Sequence, residues 1–300
     1  MWEEQLKECL AGGILRRQEP MKRHTTFQVG GPADYYAVPG TEEQLRRLTD
    51  LLRKEKIPYY ILGNGSNLLV SDQGYRGVIV STEELAGCEI RGTKVLAGAG
   101  IRMNRLAGEI CRAGLTGFEF AAGIPGTLGG AVVMNAGAYG GEMAQILTKA
   151  RVMTPEGETR ELSREELGLS YRTSCIADRG YLVLSAELDL SVGEPAEIRA
   201  RMEELARRRK EKQPLEYPSA GSTFKRPEGH FAGKLIMDCG LAGFRVGGAC
   251  VSEKHCGFVV NDKNGTAEDV YRLCLEVQKR VRKAYGVNLT MEVKILGDFC

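Results

Sequence analysis

The chain contains 300 residues, 43% of them hydrophobic, and its 41 basic and 39 acidic side chains give a formal net charge of +2. A chain of this length usually forms more than one domain, so we expect at least two. The balanced charge argues against a nucleic-acid-binding protein. No run of about eighteen apolar residues and no N-terminal apolar leader occur, so we expect a cytoplasmic protein with no membrane partner.

Cysteine and histidine are the residues most often used to hold metals. The nine cysteines are scattered and form no C-x-x-C pair, which favours reduced thiols. His255 adjoins Cys256, and Cys250 lies nearby, but no second pair at zinc spacing accompanies them. We therefore expect no metal.

Hydrophobic periodicity and turn residues predict alternating helices and strands along the whole chain. In chain order these are an amphipathic lead-in over 1–19, a helix over 41–56, strands at 57–62 and 77–80, a strand, turn and helix over 94–111, a hairpin around 155–157, a strand at 181–190, a charged helix over 196–214, a short helix over 231–240, a helix with an apolar stripe from Val270 to Tyr285, and a last strand at 289–296.

Local signals support several of these elements. Thr41, followed three residues later by Gln44, resembles a capping box, and Thr266 with Asp269 caps the last helix. The turn at 98–100 imitates a dinucleotide-binding fingerprint, but its third glycine is missing, so we interpret it as an ordinary strand-to-helix turn.

Residues 117–143 are the least ordinary segment of the chain, with eight glycines, five alanines and only two charged residues, Glu119 and Glu142. Glycine loses the most backbone entropy on folding, so this composition favours close approach of the backbone to a large flat ligand. A tightly packed run of turns is the alternative. The loops at 63–67 and 123–130 are each predicted to follow an apolar strand. Both offer backbone N–H groups and small hydroxyls, which suits a pyrophosphate.

Residue pattern alone assigns ordinary roles to the charged candidates. Arg172 beside Tyr171 is typical of a surface pair, and Ser222 lies in a glycine turn. Glu292 falls on the outward face of an alternating strand, and the basic run at 207–210 is typical of a solvated helix face.

Seven ordered blocks nevertheless resemble one family. They are TTFQVGGPAD (25–34), ILGNGSNLLV (61–70), the glycine-rich block (117–140), YRTS (171–174), AGSTFKRP (220–227), the block from AGKLIMDCG to GFVVN (232–261) and EVKILG (292–297). Together they resemble the UDP-N-acetylenolpyruvoylglucosamine reductase (MurB) family of flavoenzymes, in its shorter branch.

The resemblance implies an α+β fold. It predicts an FAD-binding region of the vanillyl-alcohol-oxidase (PCMH) type made of two subdomains, residues 1–82 and 83–195. A substrate-binding α+β domain is expected over 196–300. The composition change near residue 195 agrees with the second boundary.

The resemblance also implies an activity and its residues. Noncovalent FAD, reduced by NADPH, would pass hydride to C3 of UDP-N-acetylglucosamine-enolpyruvate and give UDP-N-acetylmuramate, a peptidoglycan precursor. Arg172 would stabilise the enolate, Ser222 would protonate C2, and Glu292 would position or polarise the site. Tyr171 and Lys225 would contact the substrate, and Lys254 or His255 the diphosphate or NADPH.

The residues expected at FAD come from the two glycine-rich loops and the segment after them. They are Gly63, Asn64, Gly65, Ser66, Asn67, Gly123, Ile124, Pro125, Gly126, Thr127, Gly129, Gly130, Asn135, Gly137 and Ala138. We expect a monomer whose partners are the sugar nucleotide and NADPH.

Two other functions remain open at this stage. A flavin oxidase of the same fold would act on another alcohol or sugar without NADPH, but the blocks at 220–227 and 292–297 argue against it. A noncatalytic nucleotide-binding or regulatory module would keep the loops and lack the chemistry. The presence of Arg172, Ser222 and Glu292 argues against that.

Overall fold

The structure is a computed structural model that describes residues 2–299. Its helices are α1 (Trp2–Cys9), α2 (Glu42–Lys54), α3 (Met103–Arg112), α4 (Leu128–Val133), α5 (Cys175–Asp178), α6 (Pro195–Lys212), α7 (Ala232–Asp238) and α8 (Ala267–Tyr285). Its strands are β1 (Ile14–Pro20), β2 (Pro32–Val38), β3 (Tyr59–Leu62), β4 (Leu68–Val70), β5 (Tyr75–Ser81), β6 (Cys88–Arg91), β7 (Lys94–Gly98), β8 (Leu115–Thr116), β9 (Gly137–Ala138), β10 (Gly141–Glu142), β11 (Leu147–Met153), β12 (Thr159–Ser163), β13 (Leu182–Asp189), β14 (Ser191–Val192), β15 (Arg245–Val246), β16 (Ala249–Val251), β17 (Val259–Asn261) and β18 (Lys294–Leu296).

The larger sheets are mixed and antiparallel. One has the order β1-β2-β5-β3, in which β3 and β5 are parallel. Another has the order β12-β11-β13-β7-β6 and is antiparallel throughout. The structure also contains a three-stranded antiparallel sheet, β15-β16-β17, and a parallel pair that joins β18 to the much earlier β4. This mixture is the predicted α+β class.

The chain divides into two compact units. Unit 1 comprises the described part of Met1–Arg16, Tyr35–Asn64 and Gly77–Arg209, and unit 2 comprises Arg17–Asp34, Gly65–Arg76 and the described part of Lys210–Cys300. Unit 1 has two cores, one around the five-stranded sheet with α3 and α4, the other beneath α1 and α2. The core of unit 2 is built on α7, α8 and the three-stranded sheet.

The predicted helix signals are confirmed where they depend on local chemistry. The hydroxyl of Thr41 accepts a hydrogen bond from the Gln44 N–H at 3.1 Å, at the start of α2. Thr266 and Asp269 form a reciprocal capping box before α8. The charged helix and the hairpin after β11 also form as predicted.

Four predictions about local structure are wrong. Residues 14–20 of the lead-in form a strand rather than continuing a helix. Tyr285, assigned to the buried stripe of α8, is exposed. The last strand begins at Lys294, and Ile295, expected to face inward, is 38% exposed. The loop at 123–130 follows a 3-10 turn (Glu119–Ala121) rather than a strand.

Two kinds of feature are absent from the described part of the chain. No helix within residues 2–299 combines the length and apolar character needed to cross a bilayer. No group of three or more His, Cys, Asp or Glu side chains in that range could hold a metal ion.

Candidate active site

In unit 1 the two glycine-rich loops meet. A Cβ built on Gly63 would lie 2.4 Å from the Thr127 Oγ1, so only glycine allows this approach. The Asn64 side-chain amide donates to the Pro125 carbonyl at 2.8 Å, across a sequence separation of 61 residues. Residues 63–64 and 125–127 therefore form one surface of small residues, the glycine-rich surface.

Two further residues fix this surface. Thr127 caps α4 by accepting from the Gly130 N–H. Gly129 donates to the Ala99 carbonyl at 2.8 Å, and a Cβ on Gly129 would lie 2.9 Å from the Ala99 Cβ. Close packing on the turn after β7 therefore explains Gly129 without a ligand. Ile124 and Gly126 precede Thr127 in the same loop, and the Gly126 N–H donates to the Ile124 carbonyl at 2.9 Å.

The rest of the first loop lies in unit 2 and supports the C-terminal segment. Gly65 has φ +60, and a Cβ there would lie 1.9 Å from the His24 carbonyl oxygen. The Asn67 side-chain amide donates to the Glu292 carbonyl at 3.1 Å. Ser66 lies between them and is half-buried. Asn67 thus helps to position the segment that carries Glu292.

Asn135 anchors the far end of the glycine-rich run. Its amide donates to the Ser170 carbonyl at 3.2 Å, and its side-chain oxygen accepts from the Ala144 N–H at 2.9 Å. Asn135 is buried and has φ +40, a left-handed conformation that costs energy in a non-glycine residue. Gly137 and Ala138 follow it as β9 and pair with β10.

Arg172 lies beside this end of the run. Its Nη2 donates to the Gly137 carbonyl at 3.4 Å, and its guanidinium carbon lies 5.3 Å from the centre of the Tyr171 ring. The backbone of Arg172 is also left-handed, with φ +54. Backbone strain of this kind is concentrated at functional sites. Unit 1 therefore brings a cation predicted to be catalytic onto the glycine-rich surface.

In unit 2, main-chain pairing brings the other predicted catalytic residues together. The Glu292 N–H donates to the Thr223 carbonyl at 2.8 Å, and the Lys225 N–H donates to the Thr290 carbonyl at 2.9 Å. An isolated antiparallel bridge joins Phe224 and Met291 between them. Residues 223–225, which follow Ser222 directly, and residues 290–292 are therefore neighbours although almost 70 positions apart in sequence.

These neighbours differ in their exposure. Ser222 is exposed, whereas Glu292 is only 9% exposed. The outward position that strand alternation predicts for Glu292 is therefore wrong, because the pairing begins before β18 and turns this residue inward. A buried carboxylate is costly unless it interacts with other groups, which is typical of a functional residue.

Lys254 and His255 lie in the same unit with partners of their own. The Lys254 ammonium donates to the Lys210 carbonyl at 2.7 Å and lies 3.5 Å from a Glu216 carboxylate oxygen. The His255 Nδ1 accepts from the Gly257 N–H at 3.1 Å. Burial lowers the pKa of His255. A neutral His255 with Nδ1 as acceptor carries its proton on Nε2.

Sequence reasoning missed Arg209, on α6 in unit 1. Its Nη1 lies 3.2 Å from the position that a Cβ on Gly123 would take. Arg209 is half-buried rather than solvated. The sequence spacing could have predicted this burial, because Leu205 lies four positions earlier on the same helical face and is buried.

The fold and the glycine-rich surface define an FAD-binding protein. Residues 33–163 match the family described as FAD binding domain, and residues 213–296 match UDP-N-acetylenolpyruvoylglucosamine reductase, C-terminal domain.

Individual relatives are similar over nearly the whole chain. It is 52% identical over 295 residues to a protein of Caldanaerobacter subterraneus subsp. tengcongensis named UDP-N-acetylenolpyruvoylglucosamine reductase, with 98% of each chain covered. The Lachnoclostridium phytofermentans protein of that name is 50% identical, with 98% of this chain and 97% of the relative covered. The crystal structure of MurB from Thermus caldophilus matches with a TM-score of 0.81 and 38% identity, covering 95% of this chain and 100% of that one. The chain belongs to the UDP-N-acetylenolpyruvoylglucosamine reductase (MurB) family.

Proposed function

We propose that the protein uses NADPH and noncovalently bound FAD to reduce UDP-N-acetylglucosamine-enolpyruvate to UDP-N-acetylmuramate in the cytoplasm, as a monomer. The relatives named as reductases over almost the full length support this activity. The observation that carries it is the pairing of residues 223–225 with 290–292, which brings the segment that follows Ser222 against the segment that contains Glu292. We also propose subdomains at 1–82 and 83–195 for FAD, and 196–300 for the substrate.

The glycine-rich surface fits FAD. Side chains at positions 63 and 129 would collide with the neighbouring loops, so these glycines let the loops that form the surface pack closely. The loop from 123 to 130 contains no charged side chain. Small uncharged residues leave room for a large dinucleotide cofactor to approach the backbone. Bound FAD would supply the hydride that reaches C3 of the enolpyruvyl group.

Arg172 is the cation proposed to stabilise the enolate that develops at C2 and its carboxylate. Its side chain already bonds the Gly137 carbonyl, which limits its rotamers before substrate arrives. A preorganised charge of this kind lowers the barrier without having to reorganise during the reaction. Tyr171, 53% exposed and stacked near the guanidinium, is proposed to contact the substrate.

Ser222 is proposed to donate the proton to C2. A serine hydroxyl is a weak acid in water, so a nearby charge or relay is needed. Lys225 lies three residues later on the same segment, and the Glu292 backbone bonds the residue between them, Thr223. We propose that Lys225 contacts the substrate and that the Glu292 carboxylate polarises or orients this group.

Lys254 and His255 are proposed to contact a diphosphate or NADPH. Lys254 would have to exchange its Glu216 partner for phosphate, whereas His255 could donate from Nε2 as a neutral ring. Burial lowers the pKa of His255, so this role does not require an imidazolium.

The first test asks whether the protein binds flavin and whether its oxidation of NADPH depends on the substrate. The purified protein should show flavin absorption, and denaturation should release the flavin into the filtrate. NADPH oxidation should require UDP-N-acetylglucosamine-enolpyruvate. Full-rate NADPH oxidation without this substrate, or rapid O2 reduction with an alcohol or sugar alone, would contradict the proposal.

The second test separates the two half-reactions with Ser222→Ala. NADPH should reduce the flavin at the wild-type rate, whereas transfer to the enolpyruvyl substrate should fall about 100- to 10,000-fold, the usual contribution of a general acid. Stopped-flow absorbance of the flavin measures both steps.

Thr290→Ala is the matched control, because it removes an exposed hydroxyl from the segment that pairs with Lys225. Its transfer rate should stay close to that of the wild type. If both half-reactions remain fast in Ser222→Ala, Ser222 is not the proton donor.

A further inference from the structure

Arg209 of unit 1 contacts the glycine-rich turn but has no role in the proposed chemistry. Arg209 lies near the end of α6, and its Nη1 is 3.2 Å, and its Cδ 3.4 Å, from the position of a Cβ on Gly123. Its side chain therefore packs directly against the glycine-rich turn.

Arg209 also interacts with the far end of the same run. The Tyr139 side chain interacts electrostatically with the guanidinium and favours its charged form. Tyr139 is 42% exposed and has a left-handed φ of +54. The guanidinium thus packs on the Gly123 turn and also interacts with Tyr139, and the 123–130 loop carries no charge of its own.

No carboxylate among residues 2–299 pairs with Arg209. Burial lowers the pKa of the Arg209 guanidinium, and among residues 2–299 it makes no ion pair with a carboxylate. Its neighbour Arg208 instead pairs with Glu204, and so does Arg201. A half-buried cation without a carboxylate is costly, and an anionic ligand would remove that cost.

The two acidic residues of the glycine-rich run are also engaged elsewhere. Glu119 accepts from the Thr116 hydroxyl at 2.6 Å and from the Gly117 N–H at 2.8 Å. Glu142 caps the short 3-10 helix Met143–Gln145. Neither carboxylate is therefore paired with Arg209.

We propose that Arg209 binds a diphosphate at the Gly123 turn, and that this diphosphate is the pyrophosphate of FAD. The planar guanidinium offers several donors in a fixed geometry that matches phosphate oxygens. The N–H groups of Ile124, Gly126, Leu128 and Gly129 bond carbonyls of the protein, so the guanidinium would be the main donor at this turn. The inference rests on the proposed function, because the UDP-sugar and NADPH also carry a diphosphate.

The test compares Arg209→Gln with a matched control, Arg208→Gln, which removes the next charge on the same helix. FAD and riboflavin are titrated into deflavinated protein by fluorescence, and UDP is titrated into the FAD-loaded enzyme by calorimetry. Arg209→Gln should weaken FAD binding about 10- to 100-fold, the usual range for a hydrogen bond to a charged group. Riboflavin, which has no phosphate, should bind as to the wild type.

Two further variants keep the test decisive if Arg209→Gln folds poorly. Arg209→Lys should recover part of the FAD affinity, because it restores the charge but not the planar geometry. Gly123→Ala places a methyl against the guanidinium and should weaken FAD binding by a smaller factor. Raising the salt concentration should weaken FAD binding more in the wild type than in Arg209→Gln.

The results separate the possible sources of the diphosphate. Unchanged FAD affinity in Arg209→Gln, an equal loss in Arg208→Gln, or a proportional loss of riboflavin affinity overturns the inference. Loss of UDP affinity with normal FAD binding also overturns it, by assigning Arg209 to the sugar nucleotide. A wild-type protein that binds no flavin overturns the proposed function itself.

Discussion

The glycine-rich surface of unit 1 and the paired segments of unit 2 are built in opposite ways. On the surface, residues such as Gly63 and Gly129 act through the absence of a side chain, and Asn135 and Arg172 adopt left-handed backbone. In unit 2, regular main-chain hydrogen bonds align residues 223–225 with 290–292 and turn a carboxylate inward.

This difference suits the glycine-rich surface to cofactor binding and the paired segments to catalysis. A surface made of backbone suits a large cofactor held by many weak contacts, and a single added methyl group can disturb it. Paired segments hold individual side chains in place, so replacing one functional group need not disturb the fold. Variants in the two regions should therefore fail in different assays.

Glu292→Gln should have the largest effect on turnover and tests whether unit 2 serves chemistry rather than FAD binding. The amide keeps the size of this buried side chain but removes its charge, so FAD binding should remain while substrate turnover falls about 100-fold or more. Steady-state kinetics with separate measurement of flavin content checks both.

Glu276→Gln serves as its control, because Glu276 lies on α8 in the same unit and pairs with Arg280 at 2.7 Å. Turnover should not change. Loss of flavin in Glu292→Gln at normal turnover per bound flavin would mean that Glu292 serves binding, and the contrast between the regions would fail.

Gly63→Ala should produce the converse failure. The new methyl would meet the Thr127 hydroxyl at 2.4 Å, so one of the two loops must shift. Overpacking of this kind costs about 1–3 kcal/mol, and we expect weaker FAD binding with little change in turnover per bound flavin. Thermal unfolding and flavin titration measure the two effects.

Gly108→Ala is the matched control in unit 1. Gly108 lies within α3, and a Cβ there has nothing within 4 Å. Alanine is the better helix former by about 1 kcal/mol, so this variant should unfold at a higher temperature and bind FAD normally. Equal losses in both variants would refute the assignment of Gly63 to a contact between loops.

Local signals in the sequence predicted the local structure well. The caps at Thr41 and Thr266 depend on residues three positions away, and both form. The burial of Glu292 could not be predicted in the same way, because it depends on pairing with Thr223, about 70 residues earlier.

The candidate site shows the same limit. The family resemblance supplied Arg172, Ser222 and Glu292, which no local pattern distinguished from ordinary surface residues. Arg209 was assigned to a solvated helix face because its basic neighbours dominate the local composition. Its contact with Gly123, 86 positions earlier, is a tertiary property.

The last expected effect concerns the stability of unit 2 at low pH. The Arg245 guanidinium binds Asp262 in a bidentate pair, with one contact of 2.8 Å, and only 17% of the Asp262 side chain is exposed. The hydrogen bond from Arg245 holds the pKa of Asp262 below its ordinary value of 3.8. A carboxylate with a lowered pKa stabilises the fold above its unfolded pKa, and this contribution is lost as the pH falls through the folded value.

Asp262→Asn should therefore lower the free energy of unfolding by about 1–3 kcal/mol at pH 7, the usual value of a hydrogen bond to a charged group. The difference from the wild type should shrink as the pH falls below about 4. Glu42→Gln in unit 1 breaks a bidentate pair with Arg151 that is more exposed, at 43% and 37%, so its effect should stay below about 1 kcal/mol. Urea unfolding at pH 7, 5 and 3 measures all three proteins, and a difference for Asp262→Asn that is as large at pH 3 as at pH 7 would contradict the assignment of this stability to an ionised Asp262.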